Sequence, residues 1–407
     1  MSRFEVSCSD CRHKETELQA SSCSVCHGRL EFSYDYEGVE WDPAFGNSMW
    51  RFWPLLPIED PEAITTLGEG GTPLLPMRGS SDLQIFIKDE ARNPTGSHKD
   101  RSLAVAINHG REIGAPASVV VSTGSAGISN AAMASRAGMA SIAVMCSGIP
   151  RDRIFPMEAL GCRIVEVESE IDLIVERVTE ICRDLGLYVS TTSRASNPYQ
   201  SEGNKTIAYE IVEELGRAPD HMLVPVGGGG SIAGIWRGFR DLERMGRISR
   251  LPQMIGVIPA DYNSLEVALG QGLQKQNELM ALPYHDLPPS ILVKIAHPFP
   301  PDGADALSAV RDSGGHFVSV SDEEALRAVA DLGRTEGLYA EPSSAACIAG
   351  LDRLRDGGQL AGGTVVAMIS GSGFRETFLT ADRSPASSQQ IGIDGLPDLL
   401  SQIQEKF

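Results

Sequence analysis

"HMLVPVGGGGSIAG" runs from His221 to Gly234 and sets four consecutive glycines between an apolar run and a helical pattern. The run His221–Val226 has the length and branching of a buried strand. Ile232, Ile235, Phe239 and Leu242 recur at the spacing of one helical face. A strand feeding a helix through a short turn is the building unit of an α/β protein. The turn has a second property. Glycines let the backbone approach an anion closely, and a helix start aims unpaired N–H groups at it. Gly227, Gly228, Gly229, Gly230 and Ser231 therefore form a candidate phosphate cradle, the alternative being a connection kept tight by packing alone. The stretch is neither a dinucleotide GxGxxG with its acidic partner nor a Walker A loop, since no Lys-Ser/Thr pair follows.

Working outward, the same alternation continues. "IFIK" (Ile85–Lys88), "SVVV" (Ser118–Val121), "SIAVMC" (Ser141–Cys146), "RIVEV" (Arg163–Val167) and "TVVAMIS" (Thr364–Ser370) read as strands. Helical patterns lie between them, with ends near Gly138 and Gly161. Ile174, Val178, Ile181 and Leu185 predict one helical stripe stopped by Gly186, and Ser321 with Glu324 forms a capping-box signature. The pattern predicts largely parallel sheets. The stretch 384–407, headed by "SPASSQQ", reads as a tail with a short amphipathic helix.

A formal charge of −19 over 407 residues argues against nucleic acid or an anionic membrane as partner, because both reward basic patches. No apolar run approaches the roughly 20 residues of a membrane span. The opening "MSRFEVSCSD" has no apolar signal core, so the expectation is a cytoplasmic enzyme. Cys8, Cys11, Cys23 and Cys26 form CxxC-x11-CxxC, the spacing of a zinc ribbon, with a ribbon that has lost its metal as the alternative. Four thiolates would close the coordination sphere and make such a zinc structural. Cys146, Cys162, Cys182 and Cys347 are scattered among apolar neighbours and read as core residues.

A second glycine turn, "VVVSTGSAGIS", adds hydroxyls: Ser122, Thr123 and Ser125 stand at the mouth of the next helix, a setting suited to a carboxylate. Between strand and helix in "NPTGSHKDRS" (Asn93–Ser102) stands Lys99. A lysine at such a junction, with one anion site for a phosphate and one for a carboxylate, points to a Schiff base with a phosphorylated aldehyde. Pyridoxal 5'-phosphate has both features and stabilises carbanions of bound amino acids. A solvated surface lysine is the alternative.

Ordered motifs then carry a family resemblance. "CSDC…CSVC", "WRFWPLLP" (Trp50–Pro57), "TLGEGGTPLL" (Thr66–Leu75), "KDEARNPTGSHKDRS" (Lys88–Ser102), "STGSAGIS", "NPYQSEGNKTIAYEI" (Asn197–Ile211), "PVGGGGSIAGI", "EPSSAA" (Glu341–Ala346) and "ISGSGFRE" (Ile369–Glu376) follow one another in order. Almost the whole chain resembles threonine synthase, of the tryptophan-synthase-β-like group of pyridoxal-phosphate enzymes (fold type II). The resemblance implies an α/β fold of two open twisted α/β domains behind an N-terminal zinc-ribbon-like segment. It implies a ribbon over residues 1–45, a large cofactor-binding domain over 46–100 and 198–383, a small substrate domain over 101–197, and a tail over 384–407. Lys99 would carry the cofactor and shuttle protons, which requires its pKa to fall. Gly227–Gly230 and Ser231 would hold the cofactor phosphate and Ser370 its ring nitrogen. Ser122, Thr123, Gly124 and Ala126 would meet the substrate carboxylate, and Glu341 lies near the cofactor without an assigned role. For the phosphate of O-phosphohomoserine, Lys88, Arg101, Arg153 and Lys205 are available, each with surface or structural placement as the alternative. A homodimer is implied as well.

Two positions depart from the family. Ser125 stands where an asparagine normally bonds the ring oxygen of the cofactor, and His98 where phenylalanine normally precedes the lysine. His98 is found in relatives that perform β-replacement, which keeps open a reaction on O-phosphoserine or another activated serine. A scaffold that has lost catalysis is the third reading, opposed by the intact Lys99 and glycine turn.

Overall fold

The computed structural model describes residues 3–17, 20–78, 83–122, 124–284, 286–360, 362–379 and 392–404. The strands are β1 (Phe4–Cys8), β2 (Lys14–Glu15), β3 (Leu30–Tyr34), β4 (Leu74–Pro76), β5 (Leu83–Asp89), β6 (Ala117–Val121), β7 (Ala140–Cys146), β8 (Arg163–Val167), β9 (Tyr188–Val189), β10 (His221–Pro225), β11 (Gln253–Pro259), β12 (His316–Val320) and β13 (Gly363–Ile369). The α-helices are α1 (Lys99–Glu112), α2 (Ser125–Ala137), α3 (Arg151–Ala159), α4 (Ile171–Leu185), α5 (Lys205–Leu215), α6 (Gly230–Arg244), α7 (Ser264–Gly270), α8 (Gln276–Met280), α9 (Gly303–Asp312), α10 (Asp322–Thr335), α11 (Pro342–Asp356) and α12 (Leu396–Gln404).

They form three sheets. β2-β1-β3 is a small antiparallel sheet at the N-terminus. A six-stranded sheet runs β12-β11-β10-β13-β5-β4, parallel apart from the edge strand β4. A four-stranded parallel sheet runs β8-β7-β6-β9. Parallel strands need helical crossovers that cover both faces, so their sequences are apolar almost throughout. In β10, Met222 and Val224 face the core under α5 and α6, while Leu223 faces the core under α10 and α11. β13 splits likewise: Val366 and Met368 on one side, Val365, Ala367 and Ile369 on the other. In the smaller sheet, α1 and α2 cover one face and α4 the other.

Glycine stops fall where the sequence places them: Gly138 and Gly186 close α2 and α4 in the left-handed conformation. Ser321 and Glu324 make the expected capping box on α10. The α4 stripe departs from expectation at its far end. Ile174 is buried, but Ile181 and Leu185 are 39% and 66% exposed. α4 has 15 residues against five in β6 and two in β9, so its last turn outruns the sheet. Residues 376–407 form a separate unit containing α12, the amphipathic helix expected in the tail; positions 384–391 lie outside the described residues.

Candidate active site

β5, β13 and β10 are neighbouring parallel strands, so their C-terminal ends share one sheet edge. Open α/β sheets bind ligands beyond that edge. β5 leads toward Lys99, β13 into Ser370, and β10 into the four glycines. The loops are stitched together: Ser97 bridges to Gly371, and Ser372 N–H donates to the Gly96 carbonyl at 3.0 Å.

The residues flanking Lys99 complete the assembly. His98 N–H donates to the Ser370 carbonyl at 2.9 Å, and its Nδ1 lies 3.1 Å from the same oxygen. A carbonyl only accepts, so Nδ1 carries the ring proton and Nε2 accepts from the Ser231 hydroxyl at 3.0 Å. Burial drives the ring pKa down to about 3, with Lys99 adding to it, so the imidazole is neutral. On the other side, Asp100 Oδ1 accepts from Ser129 of α2 at 2.5 Å and from Thr95 at 2.6 Å. His98 thus ties the lysine to the first glycine turn, and Asp100 ties it to the helix that follows the second.

Lys99 Nζ donates to Thr192 Oγ1 at 3.3 Å. Its stem keeps some surface, but the amine is enclosed. Burial lowers it to about 8, while Asp302 pulls it back up and Lys294 pushes it further down. Asp302 is buried and raised to about 6, mainly by burial and then by Asp305. Its Oδ1 accepts from Arg194 N at 2.8 Å, and its Oδ2 has no partner among the described residues. A lysine and a carboxyl group displaced toward each other fit acid–base work near neutrality.

The glycine turn serves two purposes. The segment Lys294–Asp302 presses on it, so a Cβ at Gly227 would strike the Lys294 carbonyl, and one at Gly230 would lie 2.7 Å from Asp302 Oδ2. Gly229, at φ 95°, would meet the Asp302 carbonyl at 2.6 Å. Packing alone thus requires Gly227 and Gly229, where the close neighbour is backbone. The turn is nevertheless built for an anion, because no backbone N–H from Gly227 to Ile232 has an acceptor among the described residues. Adjacent orphan donors at a largely buried helix start call for a group rich in acceptor oxygens.

The second turn repeats the design beyond β6. Ser122 Oγ accepts from Gly124 N at 3.2 Å and Gly127 N at 3.1 Å, which leaves its own proton to give. The N–H groups of Ser125 and Ala126 have no acceptor among the described residues, and Ser125 Oγ is buried without a partner. Thr123 lies outside the described residues. The half-buried lysine with its enclosed amine and the two sets of orphan donors fit pyridoxal phosphate and an amino-acid carboxylate.

Comparison with known proteins agrees. The family described as pyridoxal-phosphate dependent enzymes matches residues 65–371. The chain belongs to this family. It is 32% identical over 365 residues to the threonine synthase of Methanocaldococcus jannaschii, covering 86% of this chain and 88% of that one. It is 35% identical over 353 residues to the threonine synthase of Synechocystis sp., covering 85% and 87%. Among solved structures, O-ureido-L-serine synthase superposes with a TM-score of 0.61 at 20% identity over 84% of this chain and 97% of the other. A processed threonine deaminase from Solanum lycopersicum gives 0.59 at 20% identity over 81% and 82%; both likenesses concern the fold. The protein is thus a pyridoxal-phosphate-dependent lyase of threonine synthase type acting on an amino-acid substrate.

Within this family member, Ser370 Oγ lies 2.7 Å from Ser344 Oγ, which accepts from Gly371 N at 2.8 Å. Buried Glu341 stands behind Ser344 at 3.4 Å and pairs with Lys294. Thr192, Lys294, His297, Asp302 and Ser344 were not singled out in the sequence. His297, its pKa lowered by burial, stands against Gly227. The "HPFPPD" stretch, His297–Asp302, was the available signal: prolines fix an irregular path at a place where no strand or helix is patterned.

Three residues offered for a substrate phosphate are committed elsewhere. Arg101 forks onto Glu90 and Glu210 at 2.7 Å each, and Lys88 pairs with Glu210 at 2.8 Å. Lys205 pairs with Glu202 at 2.8 Å and Asp241 at 3.0 Å. All three are buried, so structural placement wins for them. The four ribbon cysteines converge, with all Sγ atoms within 4.8 Å of one another. Asp10 N and Val25 N point at Cys8 and Cys23 Sγ, each at 3.4 Å, the N–H···S pattern of metal knuckles.

Proposed function

We propose that the enzyme eliminates phosphate from O-phospho-L-homoserine and adds water to give L-threonine. The observation that carries this is the half-buried Lys99, whose neighbours reach both glycine turns, in a chain 31–35% identical to threonine synthases. Pyridoxal phosphate, when bound, supplies the electron sink that makes protons on the substrate carbons removable. The N–H groups of Gly227–Ile232 would hold its phosphate, Ser370 its ring nitrogen, and Ser125 would stand toward its ring oxygen. Ser122 Oγ and the N–H groups at Ser125 and Ala126, with Gly124 leaving room, orient the substrate carboxylate. Lys99 Nζ, lowered by its enclosure, takes and returns the proton. His98 is a clamp between Ser370 and Ser231, so its presence does not favour β-replacement.

The test is phosphate release from O-phosphohomoserine and O-phosphoserine, with and without sulfite as acceptor, with threonine assayed as product. Turnover of O-phosphoserine alone would sink this reading.

Lys99 must be neutral to capture an aldehyde. Cofactor uptake by apo-protein is therefore expected to accelerate about tenfold per pH unit below 8 and to level off above it. Asp302→Asn removes a charge that favours the ammonium form, so the midpoint moves down. Stopped-flow absorbance reads both; an unmoved midpoint would remove Asp302 from the site.

We also propose a structural zinc on Cys8, Cys11, Cys23 and Cys26. Three of the six Sγ separations, at 3.3–3.6 Å, lie close to the edge of a tetrahedral zinc–thiolate site, and all four sulfurs fall within 4.8 Å of one another. Metal analysis of reduced, chelator-free protein is expected to give one zinc per chain; substoichiometric zinc contradicts the assignment. A homodimer in the cytoplasm, with the four-stranded sheet as substrate domain, completes the reading.

A further inference from the structure

Arg29 and Leu30 are held in place beside the ribbon cysteines. Leu30 pairs with Cys8 across β1 and β3, and Ser9 N–H donates to the Arg29 carbonyl at 2.9 Å. From there both residues reach out of the small sheet. Arg29 Nη1 binds Asp305 Oδ1 in the first turn of α9, and the Leu30 carbonyl accepts from Arg194 Nη2 at 2.5 Å. Arg194 Nη1 takes the second oxygen of Asp305 at 3.2 Å. The side chain of Arg194 is thus a buried bridge between the N-terminal sheet and α9.

The backbone of Arg194 carries the link inward. Its N–H donates to Asp302 Oδ1 at 2.8 Å, and Asp302 N–H donates to the Gly228 carbonyl at 2.8 Å. The loop that bears Arg194 also lies against the lysine, since Thr192 Oγ1 accepts from Lys99 Nζ. Asp302 is the carboxyl group that favours the charged form of Lys99. Its place is set from one side by the glycine turn and from the other by a residue clamped to the ribbon.

Charge balance gives the clamp a second effect. Asp302 is buried and Asp305 largely so, and two neighbouring carboxylates cannot both stay ionised without compensating cations. Arg29 and Arg194 are those cations: both draw Asp302 down against burial and Asp305. Arg237 adds its charge at Asp305. Lys99 itself faces Asp302, Lys294 and the imidazoles of His98 and His297, whose proton affinity burial lowers.

We propose that Arg194 is a positioning residue for the lysine chemistry: anchored on Leu30 and Asp305, it holds Asp302 ionised and in place toward Lys99, which makes the N-terminal ribbon a working part of the active site. This role rests on the reading of Lys99 as the residue that carries the cofactor.

Cofactor uptake by full-length apo-protein, followed by stopped-flow absorbance across pH, tests it in Arg194→Gln. With the bridge gone, Asp302 keeps its proton to higher pH or turns away, Lys99 loses a favourable charge, and the midpoint of uptake falls. A fall of half a pH unit makes uptake at pH 7 roughly threefold faster. A direct effect of the arginine on the lysine has the opposite sign, because losing a cation alone raises a lysine. In an Asp302→Asn background, Arg194→Gln is expected to move the midpoint no further. An unmoved or raised midpoint in Arg194→Gln, or a double variant shifted beyond Asp302→Asn, overturns the role. Arg29→Gln changes a side chain that is 33% exposed and is expected to lower the midpoint as well. It decides alone, by the same outcomes, if Arg194→Gln does not fold. A visible band that survives Lys99→Ala would take down the lysine assignment and this role together. An unmoved midpoint beside a band lost in Lys99→Ala removes only the role of Arg194.

Discussion

Lys99→Ala is expected to lower turnover by on the order of 10⁴-fold or more, because it removes both the covalent anchor and the proton carrier. Activity alone would not separate a chemical loss from an unfolded chain. Two further readouts do. The visible absorbance of lysine-linked cofactor should vanish, while phosphate-tailed cofactor should still bind weakly through the amides of Gly227–Ile232. The apo-protein should also become more stable at pH 7. Lys99 has a folded-state pKa lowered to about 8 from an ordinary 10.5, so the unfolded chain binds the extra proton between those values. Its stability penalty is complete below pH 8 and fades as pH rises toward 10.5. Removing the amine removes that penalty, and the melting temperature of the apo variant should exceed that of the wild type. A variant that melts lower, or that keeps the band, would move the covalent bond to another residue.

The groups behind that expected gain mark where the sequence is legible and where it is not. The lysine and both glycine turns are legible because each motif is local: strand, turn and helix start are contiguous, and glycine has few other reasons to repeat. The parallel sheets are legible for the same reason, through apolar runs such as Val119–Val121 and Val365–Ile369. What sets the pKa of Lys99 is not local. Asp302 and Lys294 come from an irregular segment about 200 residues away, and Thr192 from a loop 93 residues away. The prolines of His297–Asp302 mark only an irregular path there, and nothing in the sequence beside Thr192 or Lys294 marks those two. Distance also hides the role of the basic residues. A lysine or arginine near a phosphate motif reads as a phosphate ligand unless its carboxylate is in view, and Glu210 lies 109 residues beyond Arg101. The histidine at position 98 needed coordinates for the same reason, since its partners Ser231 and Ser370 are 133 and 272 residues distant.

Arg101→Met is the second variant with a large expected effect, and it acts on the folded state, not on the chemistry. Arg101 sits two residues past the lysine on the first turn of α1, fully buried, and its guanidinium is saturated. Nε and one NH2 hydrogen hold Glu90, one hydrogen from each terminal nitrogen holds Glu210, the last NH1 hydrogen goes to Thr206, and Thr72 Oγ1 shares NH2 at 3.1 Å. Lys88 Nζ pairs with Glu210 and with exposed Glu214. Burial alone would raise Glu210, but Arg101 and Lys88 outweigh it and hold the carboxyl well below its ordinary range. Methionine fills similar volume yet leaves two buried carboxylates facing one lysine. Breaking a buried pair by removing one partner costs about 3–5 kcal/mol, a large part of the 5–15 kcal/mol that holds a typical domain together. Denaturant unfolding of the apo-protein should show that loss at pH 7. The deficit should shrink as the pH falls. In wild type the depressed pKa of Glu210 contributes stability above the ordinary carboxyl range, and this is lost in acid; in the variant the carboxyls are raised and can take up a proton. Lysine at the position should recover only part, because a point charge cannot satisfy two forked carboxylates. If Arg101→Met instead unfolded like wild type and raised KM for the phosphorylated substrate, the arginine would be a phosphate ligand after all and the buried network a minor feature of α1.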